Sequence, residues 1–146
     1  MRIVTAAVVA AVLAASPASA QMMGHHMMKK SLYERLGGID AIRAVVDDFV
    51  ANVAADKRIN AFFAHTDIER LKHNLVDQIC QGTGGPCTYT GRSMKETHAG
   101  MGVRDRDFNA LVADLGKTLK KFKVPKRATN ELVAILAPMR KDIVTR

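Results

Sequence analysis

Three groupings of residues carry side chains able to do chemistry. His98 stands alone at the end of Ser93 to His98, a stretch long enough for a helical turn or two before Gly100 and Gly102. A neutral imidazole offers one nitrogen lone pair to a metal and one N–H with which its ring can be oriented. Cys80 and Cys87 form a second grouping. Their C-x₆-C spacing is not the tight pair of a zinc or redox motif and no second pair follows, which leaves a disulfide or two partly buried thiols. Residues 21–30, QMMGHHMMKK, hold four of the eight Met and two of the five His. Thioether and imidazole suit copper, so this stretch is either a copper-binding segment or a flexible leader.

The N-terminus bears on the choice for the cysteines. Met1-Arg2 gives a positive start, Ile3 to Ala15 is an apolar run broken by one Thr, and Ser16-Pro17-Ala18-Ser19-Ala20 ends in A-x-A. This layout predicts a secretory signal peptide over residues 1–20, cleaved after Ala20. Removing twenty residues from 146 leaves 126, and the loss of Arg2 lowers the net charge from +8 to +7. The expected destination is periplasmic or secreted, in a bacterium. An oxidising compartment favours the Cys80–Cys87 disulfide, and closing so short a loop stabilises a fold by roughly 2.5 kcal/mol in the chain-entropy picture.

The rest of the chain must position these groups. A length of 146 residues supports one domain, and 48% apolar with 25% charged residues excludes collagen-like, low-complexity and wholly disordered classes. Outside the N-terminus no run is apolar for 18 residues, so no span is expected after signal cleavage. Ser31-Leu32-Tyr33-Glu34 fits a capping box and Gly37-Gly38 stops the helix it opens. The spacing of Ile42, Val45, Val46, Phe49, Val50 and Val53 predicts a helix over 39–55. Ile59 to Phe63 forms a short apolar turn. Thr66-Asp67-Ile68-Glu69 is a second capping box, opening a helix to about Gln81 with Ile68, Leu71, Leu75 and Val76 or Ile79 on its buried stripe. A helix resumes near Arg104, with Phe108, Leu111, Val112, Leu115, Leu119 and Phe122 on one face, and ends at Val124-Pro125. The last helix, over about 128–144, carries Leu132, Ile135, Leu136, Met139 and Ile143. The expected fold is all-α over 31–146, with four long helices, two short ones and one extended loop.

That loop is GTGGPCTYTGR, Gly82 to Arg92, with four Gly and a Pro in eleven residues. It cannot propagate a helix, and long loops inside compact domains are usually functional. It runs directly into the segment bearing His98. Helix bundles build cofactor sites between facing helices. The residues therefore describe either a helical domain wrapped around something at His98 or a structural histidine.

Leu32-Tyr33-Glu34-Arg35-Leu36-Gly37-Gly38, then Phe62-Phe63, then Gly84-Gly85-Pro86 with Tyr89-Thr90-Gly91, then Met94-Lys95-x-x-His98, resemble the signature of the group 1 truncated haemoglobins. The match runs without gaps from about Leu32 to Phe108 and more loosely to Val144. Five short motifs in order and at family spacing are specific. The resemblance implies a truncated two-on-two helical globin sandwich enclosing haem b (iron protoporphyrin IX). Carried over position by position, it implies His98 as the proximal ligand to iron and Phe63 packed on the porphyrin. It puts Met94, Val103 and Phe108 on the proximal side, and offers Lys72, Tyr89 and Arg92 as candidates for the haem propionates.

On the distal side the sequence departs from the family. A Tyr is common at the position of Val50, and a Gln or His at those of Leu75 or Asn74. Here Phe49, Val50, Leu71 and Leu75 make the wall apolar. A hydrogen bond to bound dioxygen is worth roughly 1–3 kcal/mol, and each 1.4 kcal/mol is about tenfold in affinity. Its loss weakens retention of O₂ relative to CO or NO. Gln78 shares the face of Leu71 and Leu75 and is the candidate to restore a polar contact. His73 falls about 200° around the helix from Leu71 and is expected to point away; His65 is likewise expected at the surface.

The implied function is binding of a diatomic gas at an open distal site, for oxygen carriage or NO handling. A haem-dependent redox enzyme, an NO dioxygenase or peroxidase-like, is the alternative within the same site. A copper-handling protein using the Met/His leader is a third class. The positive charge suits an anionic membrane surface or an acidic redox partner better than nucleic acid in this compartment.

Overall fold

The computed structural model describes residues 29–146. The signal peptide expected over 1–20 and most of the Met/His leader, residues 21–28, lie outside them. Among the described residues every regular element is helical. The chain runs α1 (Leu32–Leu36), α2 (Gly38–Ala55), a 3₁₀ turn (Asn60–Phe63), α3 (Ile68–Gly82), α4 (Met94–His98), α5 (Asp105–Lys121) and α6 (Lys126–Leu136). A second 3₁₀ turn (Ala137–Met139) then leads into α7 (Arg140–Ile143).

Local chemistry explains the boundaries. Ser31 accepts from the Glu34 N–H while Glu34 reaches back to the Ser31 N–H, the reciprocal cap expected for α1. Gly37 closes α1 at φ 105°, a left-handed conformation that glycine adopts without cost. The start of α3 differs from expectation. Asp67, not Thr66, is the N-cap, its carboxylate accepting from the Arg70 N–H, because an ionised oxygen is the better partner for the helix's positive end. The last helix is not continuous. Pro138 has no N–H to give the ladder, so the chain tightens into a 3₁₀ turn at Ala137–Met139 before α7.

Phe122 also departs from the apolar face expected of α5: it is 41% exposed. Beyond Lys121 the Lys123 N–H bonds the Lys120 carbonyl and the Val124 N–H bonds the Leu119 carbonyl, both at 3.0 Å, with Lys123 left-handed at φ 55°. This is the Schellman closure of a helix, which turns Val124 inward onto the core and leaves the preceding side chain outside.

The apolar stripes bury themselves in two separate clusters. The larger joins Ile42, Val46, Val50 and Val53 of α2 to Ile79, Leu115, Leu119 and Leu132. Leu119 and Leu132 are 0% and 1% exposed; side chains so buried stabilise a fold by roughly 2–5 kcal/mol each relative to Ala. The smaller cluster is Val103, Phe108 and Ile143, with Met94, Met101 and Met139 against it. α2 packs on α3 and α5, while α4 packs on α7. α5 contributes to both clusters, Leu115 and Leu119 to the larger and Phe108 to the smaller, and the site lies between the two.

Candidate functional site

A cavity of about 950 Å³ opens between the two clusters. Its wall takes Phe49, Val50, Ile79 and Leu115 from the larger and Val103, Phe108 and Ile143 from the smaller. Cofactor pockets run roughly 300–1,000 Å³, so this one holds a large ligand, and apolar side chains dominate its lining.

His98 stands in the wall, on the five-residue α4. So short a helix is held by its ends: Ser93 accepts from the Glu96 N–H and Glu96 reaches back to the Ser93 N–H. Nδ1 of His98 lies 2.7 Å from the Met94 carbonyl oxygen. A carbonyl can only accept, so Nδ1 carries the proton and Nε2 keeps its lone pair. This fixed tautomer is what a metal-ligating imidazole requires. Among the described residues no group of three or more His, Cys, Asp and Glu is placed to hold a metal ion. A single imidazole above a large apolar cavity fits an iron porphyrin, which brings its own equatorial ligands.

The rest of the lining is mainly apolar, with Thr66, Arg70, His73 and Asn74 among its polar members. Phe49, Val50, Leu71 and Leu75 line the cavity, with Phe63 at its edge. Gln78 also lines it, but its amide donates to the thioether sulfurs of Met94 at 3.5 Å and Met139 at 3.4 Å. His73, expected to point away, is 72% exposed and pairs with Asp77 at 3.3 Å, yet it also contributes to the cavity lining. His65 is exposed too.

Of the residues named for the cofactor, the cavity brings together His98, Phe63, Leu71, Leu75, Tyr89, Arg92, Met94, Val103 and Phe108. Lys72 is not among them. Its ammonium sits 3.2 Å from Asp47 and 3.7 Å from Glu69, drawn along α3 and toward α2 by two carboxylates instead of toward the cavity. The Tyr89 hydroxyl donates to the Arg92 carbonyl at 2.7 Å and so braces the loop. Arg92 is exposed at the wall and makes no ion pair among the described residues.

The loop from α3 to α4 is tied down at both ends. Cys80, fully buried at the end of α3, is disulfide-bonded to Cys87 with Cα atoms 5.7 Å apart. Gly85 passes so close to α1 that a Cβ there would lie 2.5 Å from the Tyr33 ring and 2.7 Å from the Cys80 sulfur. The Tyr89 N–H adds a bond to the Gln81 side chain at 2.6 Å. These ties carry Tyr89, Thr90, Gly91 and Arg92 to the cavity wall without a helix.

Met139, Leu136 and Ile143 also line the cavity, though the sequence reading gave them only a generic buried role. Arg140 fixes that C-terminal segment: its guanidinium stacks 4.5 Å from the Phe108 ring centroid and bonds Asp105 and Asn109.

Comparison with known proteins gives this geometry a family. The chain matches the family described as "Bacterial-like globin" over residues 31–145. It is 35% identical to the group 1 truncated haemoglobin GlbN of Mycolicibacterium paratuberculosis, covering 79% of this chain and 85% of that one. It is also 35% identical to the group 1 truncated haemoglobin of Tetrahymena pyriformis, over 79% and 95% respectively. The crystal structure of the Tetrahymena pyriformis protein, Fe(III) form, superposes with a TM-score of 0.77 at 34% identity, covering 80% of this chain and all of that one. The 2/2 haemoglobin of a Synechococcus species, solved with covalently attached haem, gives 0.75 at 34% identity with the same coverage. The chain belongs to the bacterial-like globin family, among the group 1 truncated haemoglobins, and has their two-on-two helical fold.

Proposed function

We propose that the cavity holds haem b, with His98 Nε2 as the one protein ligand to iron, and that the protein reversibly binds a diatomic gas. The observation that carries this reading is the His98–Met94 hydrogen bond, which leaves Nε2 with its lone pair in the wall of a cavity large enough for the cofactor. If bound there, held by His98 and the apolar lining, the group would supply an iron able to take up a diatomic gas.

The chain's own residues set what binds there. Val50, Leu71 and Leu75 offer the ligand no hydrogen-bond donor, and the amide of Gln78 is occupied by two sulfurs. Such a wall excludes water and favours a neutral, weakly polar gas over one that gathers negative charge on binding. Dioxygenase or peroxidase chemistry would need a polar group at the ligand where charge develops, and Thr66, Arg70 and Asn74 are the lining residues of α3 and its approach that would have to turn inward to supply it. Gas binding, for carriage of oxygen or handling of NO, is therefore the stronger reading than catalytic turnover.

Export to an oxidising compartment belongs to the same proposal, supported by the layout of residues 1–20 and by the Cys80–Cys87 disulfide. Spectra of the ferrous, oxygen-free protein test the open site. A single broad visible band that changes on adding CO, NO or O₂ is expected. Sharp, split visible bands before any gas is added would mean that a second side chain already fills the position.

A further inference from the structure

We propose that the turn joining α5 to α6 is a docking surface for an anionic lipid bilayer, with Phe122 as its apolar anchor. Phe122 is the one large hydrophobic side chain exposed among the described residues. The helix closure described above holds it outside and cannot be relaxed without turning Val124 out of the core.

Along the chain its neighbours are cationic. Residues 115–130, LGKTLKKFKVPKRATN, contain six Lys and Arg and no Asp or Glu. Lys121 is held by Asp48 and Arg127 by Glu131. Lys117, Lys120, Lys123 and Lys126 are exposed and make no ion pair among the described residues. Helical spacing sets Lys117 beside Lys120, and the turn then brings Lys123 and Lys126 to either side of Val124-Pro125. Lys123 occupies a left-handed position that glycine usually fills, so a cation stands where the backbone gives no reason for one.

Two features select a bilayer as the occupant. A stable protein interface needs a desolvated apolar centre, and one exposed ring amid exposed lysines supplies none. A bilayer takes an isolated aromatic side chain at its headgroup boundary and draws cations to its negative surface. The surface also lies apart from the cofactor site: no residue from 116 to 135 lines the cavity. A redox protein docked here would have no short route to the iron, whereas a protein merely held at a membrane keeps its cavity wall clear.

The test is sedimentation of the haem-loaded protein with vesicles, the pellet followed by haem absorbance. Binding is expected to mixed phosphatidylglycerol and phosphatidylcholine vesicles, to fall with added salt, and to be absent with phosphatidylcholine alone. Phe122→Ala should weaken partitioning about tenfold or more. Lys123→Gly should weaken it about fivefold while suiting the backbone better than lysine, so lost binding cannot be put down to lost folding. Equal binding to both lipid types, no binding to either, or unchanged binding by both variants overturns the proposal. So does tight binding to soluble polyglutamate that ignores Phe122→Ala, which would make the turn a site for acidic proteins.

Discussion

The side-chain amide of Gln78 donates to the sulfur of Met94, 3.5 Å away, and so links the distal helix α3 to the helix that carries His98. The same amide reaches Met139 at 3.4 Å. From helical spacing alone Gln78 was the residue able to restore a polar contact to bound gas. With its N–H groups given to two thioethers, it ties two parts of the cavity wall together instead, and Val50, Leu71 and Leu75 beside it carry no donor.

Kinetics of O₂ dissociation measure that difference. Gln78→Leu should change the rate by no more than about twofold. Val50→Tyr, which places a hydroxyl on the wall, should slow it about tenfold or more, the effect of one hydrogen bond of 1.4 kcal/mol. A large acceleration by Gln78→Leu would show that the amide turns to the ligand.

Much of this site could be read in the sequence, and the exceptions have physical causes. The stripes of α2, α3 and α5 are periodic because one face of each helix is buried, which marks Phe49, Val50, Leu71, Leu75 and Phe108 as inward; that they surround a cofactor is what the resemblance to the truncated haemoglobins implies. Lys72 failed because two carboxylates compete for its ammonium, and one of them, Asp47, comes from another helix. Tyr89 reached the cavity, but its hydroxyl is spent three residues along the loop, a contact that depends on the path of an irregular chain. Met139 stood on the buried stripe of the last helix, but periodicity marks burial and does not separate a side chain that lines a cavity from one that fills the core. Phe122 fitted the stripe of α5 and was turned out by backbone hydrogen bonds one residue past its end.

The disulfide should govern how firmly the cofactor is kept. It joins the buried end of α3 to the loop whose next residues reach the cavity wall. Reduction, or the Cys80→Ser/Cys87→Ser double variant, should lower stability to unfolding by about 2.5 kcal/mol. Transfer of hemin to an excess of apomyoglobin should become several-fold faster. Transfer at an unchanged rate would mean that Gly85 and the Tyr89–Gln81 bond hold the loop by themselves.

Asp114 makes stability depend on pH. It is 7% exposed, its Oδ2 has no partner, and Arg58 lies 3.7 Å away from its other oxygen. Burial, with the carboxylate of Asp56 beside it, pushes its pKa up to about 6, while the Arg58 guanidinium holds Asp56 well below the usual carboxylate range. A raised pKa means that the folded state binds the proton more tightly than the unfolded chain does. The stability gained is therefore complete below about pH 4 and is lost as pH rises through about 6. Asp114→Asn removes that loss. Its melting temperature should move above that of the parent progressively from pH 4 to pH 7, by an amount equivalent to at most about 3 kcal/mol. A difference independent of pH would show that Asp114 does not titrate in this range.

His98 as the sole protein ligand to a bound haem is the claim on which the rest depends, and absorption of the purified protein addresses it directly. A Soret band is expected in the parent. His98→Ala should abolish or grossly shift it, and His98→Gly should recover it when imidazole is supplied in solution. A parent protein that stays colourless with added hemin, or a His98→Ala variant with an unchanged Soret band and unchanged hemin retention, would contradict it.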